Sequence, residues 1–407
     1  MRRFLLKGLI GTTALALVPM ASAKDAPVAA TAEIHAKALV LDGHADVLLP
    51  ATPKRYYLPN GGSRVDLPHL KAGGVDAVVL SVAVGPGPRD AAGVAAARQE
   101  ADAKLAAIHK LAADNPAAVG IARSPAEVEA LHAQGKIALI IGFQNARSIG
   151  NDPSQLEAFY RGGARVFALN HAGHNAFSDS SRPDKQPVGE HQGLSPLGRD
   201  AVKRLNDLGA LIDVSQLSSD ALRQTLELSR APVAATHSNV RALIDNTRNL
   251  SDAELDAIKA KGGIVQLTPF SSYLHVATEA ERAKVSQVRV RFGLPAAYKT
   301  AYDDSESLAP AQREVYLDAA SAAAPRGTLS EYLDHIDYVV KRIGWQHVGI
   351  GTDFDHGAGV TGFDSEAEAP NVTAGLLKRG YSPDQIAAIW GGNFLRVWRA
   401  AEAARAH

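Results

Sequence analysis

An imidazole and a carboxylate two residues apart, His44 and Asp46, close the apolar run ALVLDGHADVL over residues 38–48. On an extended strand alternate side chains share a face, so the two project together beyond the strand's end as half of a metal site. Both are usual ligands of zinc and its neighbours, and a metal held there acidifies water into a nucleophile near neutral pH. Alone, the pair reads equally well as a buried strand whose two polar side chains bond each other. The polar residues that close later apolar runs, Gln144, His171, Gln216, His237 and Asp353, favour the metal reading.

Asp353, in TDFDHG, joins His44 and Asp46 if the first and last runs are neighbours; by itself it is a turn residue. His237, followed by Ser238 and Asn239, is a further metal ligand or a general base. His171 stands where a donor stabilises the oxyanion of a tetrahedral intermediate, with Asn175 beyond it toward the substrate. Arg248, in DNTRN, is a planar fork for a substrate carboxylate or a solvated surface arginine. Catalysis thus falls to Asp353, His171 and His237. Metal binding falls to His44, Asp46 and His237, with Gln144 a weak ligand and Gln216 a doubtful one.

Further apolar runs at 75–84, 137–146, 164–175, 210–218, 231–240, 263–270 and 347–357 read as strands. Helical patterns separate them, several opened by Ser or Thr caps, and the last closes the chain at 382–406. Eight strands alternating with helices predict an α/β fold, a closed (β/α)8 TIM-like barrel in a single domain, whose active site gathers at the strands' C-terminal ends. A doubly wound open sheet is the alternative. Two segments break the rhythm. The loop 177–194 is rich in Ser, Asp, Pro and Gly and is expected to wall or cover the site, and 276–326 reads as a helical insertion after strand 7.

A chain of 407 residues, 46% hydrophobic, can bury a large core. Its net charge is zero and it has no basic run, so the electrostatic footprint of a nucleic-acid binder is missing and the expected partner is a small molecule. The absence of cysteine excludes disulfides, thiolate ligands, a cysteine nucleophile and a lipid-anchored cysteine. Arg2, Arg3 and Lys7 precede an apolar stretch that ends in Ala21-Ser22-Ala23, which reads as an export signal over 1–23. Arg2-Arg3 followed by Phe4-Leu5-Leu6 suits a twin-arginine route as well as the general secretory one. The expected mature barrel, 24–407, is periplasmic and unattached to membrane after cleavage.

These residues resemble the membrane (renal) dipeptidase family of the metal-dependent amidohydrolase superfamily. The likeness runs through LDGHADV, VDLPHLKAGGVDA, LNHAGHNAFSDS, APVAATHSNVRAL, HVGIGTDFD and RGYSPDQIAAIWGGNFLRV, nearly the whole mature chain. It implies a barrel with two zinc ions that hydrolyses dipeptides, including some with a C-terminal D-residue, and a homodimer. It also implies roles: His44 and Asp46 on one ion, His237 on the second, His171 on the intermediate, Arg248 on the substrate carboxylate, and Asp353 passing a proton to the leaving amine. Two positions depart from the pattern, Gln144 where a bridging glutamate is expected and Gln216 where a second-site histidine is expected. A neutral amide replaces neither a carboxylate bridging two dications nor an imidazole at equal affinity. One zinc ion is therefore expected, the second weak or absent. The expected substrate is a dipeptide-like amide. The alternatives are a same-fold enzyme with changed, mononuclear chemistry and a non-catalytic binding barrel.

Overall fold

Short aliphatic runs, each entered from a capped helix or a glycine turn, form nine strands in the computed structural model, which describes residues 28–182 and 189–406. They are β1 Leu41–Asp46, β2 Ala77–Ala83, β3 Val119–Ala122, β4 Ile137–Gln144, β5 Ala164–Ala168, β6 Leu211–Asp213, β7 Ala234–Ala235, β8 Ile264–Leu267 and β9 Val348–Ile350. The order β1-β2-β4-β5-β6-β7-β8-β9 is parallel throughout, and Ala45 bridges to Phe354 across the remaining gap. The result is the expected nearly closed eight-stranded barrel with helices between strands. The signal-like segment 1–23 and the middle of the 177–194 loop lie outside the described residues.

Two details differ from expectation. β3 was not foreseen: four residues with a half-exposed middle are too few to show a period, and they pair only with the first half of β4, Val119 opposite Ile137. The strands also stop short of their apolar runs. His171, Gln216, His237 and Asp353 lie two or three residues past β5, β6, β7 and β9, in the turns that open the barrel's mouth.

Both faces of a barrel strand are buried, which is why the runs read as continuous apolar sequence rather than alternating. One layer of buried side chains, including Leu41, Val79, Ile140, Val166, Leu211 and Ile264, packs with Phe394 and Trp398 of the C-terminal helix. The other faces meet the surrounding helices in a second, larger cluster. The closing helix, expected to be continuous, is split into Pro383–Ala387 and Asn393–Ala403 by a wider π-helical turn at Ala388–Gly392. Gly391 sits there because a Cβ would come within 2.4 Å of the Leu39 carbonyl oxygen.

The insertion after β8 carries the helices Glu279–Arg291 and Pro310–Ala323 and a small core of its own, Leu294, Tyr316, Leu317 and Ala320. Arg289, fully buried, ties it together by donating to the Pro295 and Asp303 carbonyls at 3.1 and 3.0 Å and pairing with Asp304. Arg55, beside the mouth, pairs with Glu314 at 2.8 Å and Asp318 at 3.2 Å, so the insertion is fastened back over the barrel. Among the described residues no helix is long and apolar enough to cross a membrane.

Below the mouth Asp42 and Glu366, both buried, are close enough for each to act on the other's charge. Asp42 accepts from the Thr352 amide and hydroxyl, both at 2.7 Å, and from the His44 amide at 3.1 Å. Burial, then the charge of Asp42, raises the Glu366 pKa well above the usual carboxyl range, so it keeps its proton. A carboxyl protonated in the fold but ionised in the unfolded chain makes the unfolded state bind fewer protons, so its contribution to stability falls as pH rises above about 4. Glu366→Gln keeps a donor toward Asp42 and removes the titration. Its urea midpoint should therefore gain on the native protein's between pH 5 and pH 8, and a constant difference would show that Glu366 ionises normally.

Candidate metal centre

The barrel's seam builds the site. The Asp353 amide donates to the His44 carbonyl at 2.7 Å and the Asp46 amide to the Phe354 carbonyl at 2.9 Å, so the first strand and the turn after the last are laced together. This turn holds Asp353 and Asp355 at φ 56° and 62°, a left-handed conformation that aspartate tolerates better than most residues. Gly43 completes the arrangement: a Cβ would strike Gln266, which fills the barrel's centre and donates to the Ile350 carbonyl at 2.9 Å.

His44 Nε2 lies 3.7 Å from Asp46 Oδ1 and 4.0 Å from Asp353 Oδ1, all three side chains being nearly inaccessible. Neither His44 Nε2 nor Asp46 Oδ1 has a hydrogen-bond partner. Buried polar atoms without partners are costly, and two converging on one point are what a cation would satisfy. The donor set of one imidazole and two carboxylates suits a zinc-like ion. His44, Asp213 and His237 form a second group of comparable spacing. Asp213, however, is already saturated. It accepts from the Ser215 amide and hydroxyl at 2.9 and 2.5 Å and from the Thr236 amide and hydroxyl at 3.1 and 2.6 Å. It acts as an anchor, and the first group is the one that fits a metal.

That anchor sets the state of His237. With its hydroxyl proton given to Asp213, Thr236 accepts from His237 Nδ1 at 2.9 Å, leaving the lone pair on Nε2. Burial, followed by the nearby His44 and Arg248, holds the His237 pKa well below the ordinary value, so the ring is neutral. Its Nε2 meets the side-chain amides of Gln144 at 3.4 Å and Gln216 at 3.2 Å. The two glutamines thus direct N–H groups at the lone pair that a second metal would need. The His237 ring also stacks on His44, with centroids 3.8 Å apart.

His171 forms the other wall. Burial, then the charges of His356 and Arg182, keeps it neutral, and its Nδ1 has no partner. Burial raises the Asp353 pKa despite the opposing His356 and His44. Asp46 behaves differently: burial pushes its pKa up, but the charge and hydrogen bond of His356 outweigh that and hold it ionised. A cavity of about 690 Å³ opens above, lined by Asp46, His171, His356, Lys104, Tyr56 and Tyr302 among others.

Two expected substrate contacts lie deeper. Arg248 is 1% exposed, not a surface arginine, and its terminal nitrogens donate to the Ser215 carbonyl at 2.6 Å, to Ser238 Oγ at 3.0 Å and to the His237 carbonyl. Only its Nε is without a partner. Asn175 donates to the Leu169 carbonyl at 2.7 Å and accepts from the Phe177 and Ser178 amides, stapling its own loop. Sequence reasoning overlooked His356, Asp213 and Thr236. His356 follows Asp353 by three residues in TDFDHG, within the turn already singled out, and that was the available signal.

A family model described as membrane dipeptidase (peptidase family M19) matches residues 28–407. Dipeptidase tcpJ of Claviceps purpurea (strain 20.1) is 31% identical over 277 residues, 68% of this chain and 54% of that relative. The chain spans between about half and two thirds of the length of the first curated relatives it matches. Among solved structures, the probable dipeptidase PvdM from Pseudomonas aeruginosa is 36% identical with a TM-score of 0.82, over 93% of this chain and 98% of that one. A metallopeptidase from Rhodobacter sphaeroides, liganded with a phosphinate mimic of the dipeptide L-Ala-D-Ala, is 25% identical with a TM-score of 0.69, over 89% and 99%.

Asp213 offers a direct check on the anchor. Asp213→Ala strands the hydroxyls of Ser215 and Thr236 and two amides in a dry site, and should lower unfolding free energy by about 3 kcal/mol in urea titrations. A loss under about 1 kcal/mol would show that these donors find other partners.

Proposed function

Because the chain belongs to the membrane dipeptidase family, peptidase family M19, we propose that it is a metal-dependent hydrolase of small amides, a dipeptidase in substrate class, working with one zinc ion rather than two. The observation that carries this reading is the pair of buried, partnerless atoms His44 Nε2 and Asp46 Oδ1, 3.7 Å apart beneath the cavity. His44 and Asp46 would hold the ion, assisted by Asp353. A divalent cation there supplies Lewis-acid polarisation and a nucleophile at neutral pH.

The protein's own groups do the rest. Neutral His171 offers a donor to the oxygen of the scissile carbonyl as charge develops on it. Asp353, whose Oδ1 lies 4.0 Å from His44 Nε2, is suited to pass a proton to the departing amine. Arg248 supports the site from below, with only its Nε left for a substrate carboxylate. Where the family resemblance implies a second ion, Gln144 and Gln216 instead bond to His237, and that exchange of ligands for hydrogen bonds supports the one-metal reading. The substrate is taken to be a dipeptide, in keeping with the phosphinate ligand of the Rhodobacter sphaeroides metallopeptidase. Residues 1–23 are proposed to send the protein to the periplasm, and cell fractionation with N-terminal sequencing of the exported form would check this.

Metal stoichiometry on mature protein prepared without chelator is the decisive measurement. One zinc per chain is expected, rising to two in the double variant Gln144→Glu, Gln216→His. Two tightly held ions in the native protein would refute the mononuclear reading, and none would leave a binding role. Asp353→Asn is expected to lower kcat for dipeptide hydrolysis by about 10²–10⁴-fold, the range of a positioned general acid. A near-native kcat would remove Asp353 from proton transfer.

A further inference from the structure

The reaction just described gives His356 no part, yet it bonds directly to a metal-ligand candidate. Its Nδ1 lies 2.6 Å from Asp46 Oδ2, while Asp46 Oδ1 faces His44 Nε2 without a partner. A carboxylate turns about its last torsion with only a broad two-fold preference, so a donor fixed on one oxygen decides where the other points. His356 is itself confined. Its ring stacks on Tyr56, with centroids 5.6 Å apart and planes 26° from parallel, and meets His171 edge-on at 4.8 Å. Tyr56 Oη is 2.7 Å from Oη of Tyr302, which belongs to the insertion. The guanidinium of Arg55, 5.2 Å from the Tyr56 ring centre, pairs with Glu314 and Asp318 of the same insertion. A continuous line of contacts therefore runs from the insertion to a metal-ligand candidate.

We propose that His356 is a positioning residue of the metal centre, holding Asp46 in the rotamer that aims Oδ1 at the ion, and that Tyr56, fastened by the insertion's Tyr302, holds His356 in turn. The inference rests on reading the site as a metal centre. Partners behind the ligands of metal sites orient them and raise affinity, and losing one typically costs 10–100-fold. It also gives the insertion a task besides covering the mouth: removing its grip on Tyr56 should weaken metal binding from a distance.

The test is Zn²⁺ affinity of the full mature chain, measured by competition with a chromophoric chelator, with dipeptide turnover followed separately. His356→Leu should bind Zn²⁺ about 10–100-fold more weakly. His356→Asn, whose amide nitrogen falls near the place of Nδ1, should recover most of that loss. His356→Gln, whose nitrogen falls near Nε2, should not. Tyr302→Phe, lacking only the hydroxyl, should show a smaller, few-fold loss. Native affinity in folded His356→Leu would overturn the proposal. Should that variant fail to fold, the order of the Asn and Gln variants decides, since Gln binding as tightly as Asn overturns it too. A native chain that binds no Zn²⁺ at all would instead sink the metal-centre reading itself.

Discussion

Burying a polar atom without a partner is the constraint on which this structure turns. His44 Nε2 and Asp46 Oδ1 are shut from water and left unpaired a few ångströms apart. Several neighbouring groups are satisfied: Asp213 by four donors, Asp42 by Thr352 and the His44 amide, and His237 by Thr236 and two amides. His171 Nδ1, Gln216 Oε1 and Arg248 Nε are also unpaired, but only His44 Nε2 and Asp46 Oδ1 are an imidazole nitrogen and a carboxylate oxygen facing each other at 3.7 Å, and that pairing is what makes them informative. The same reasoning separates the two ligand groups of similar spacing, because a carboxylate with all its lone pairs engaged has little left to give a cation.

Much of this was legible in the sequence, for identifiable reasons. Continuous aliphatic runs of strand length, alternating with capped helices, specify a parallel sheet buried on both faces, and β4, IALIIGFQ, is the clearest case. The period of two placed His44 and Asp46 together, and closure of the barrel brought Asp353 to them. What stayed hidden depended on three-dimensional neighbours. Nothing local to Asp213 marks it as an anchor, because its donors come from a turn and from the next strand. Arg248 reads as a carboxylate fork or a surface arginine in a polar loop, and only the folded loop shows it buried and bonded to the Ser215 and His237 carbonyls. β3 is too short for any periodic signal.

The departures at Gln144 and Gln216 take on a physical meaning in the structure. A carboxylate and an imidazole are acceptors toward a cation, whereas an amide nitrogen is a donor and turns the same space into a hydrogen-bonded cluster around a neutral imidazole. His237, stacked on His44, still shapes the floor of the site, but as a fixed apolar plate carrying a committed lone pair. On the one-metal reading proposed above, the chemistry would be confined to the side of the mouth bounded by Asp46, His171 and the insertion.

The lacing of β1 to the turn after β9 has a temporal consequence. Thr352 and Asp353 bond to Asp42 and His44, some 310 positions earlier in the chain. As the polypeptide is synthesised from its N-terminus, His44 and Asp46 emerge early but cannot meet Asp353 or be sealed from water until almost the last helix has appeared. The three groups therefore cannot come together before Asp353 has been made. The order of synthesis thus makes the seam between the first strand and the turn after the last one of the latest parts of the barrel that can form.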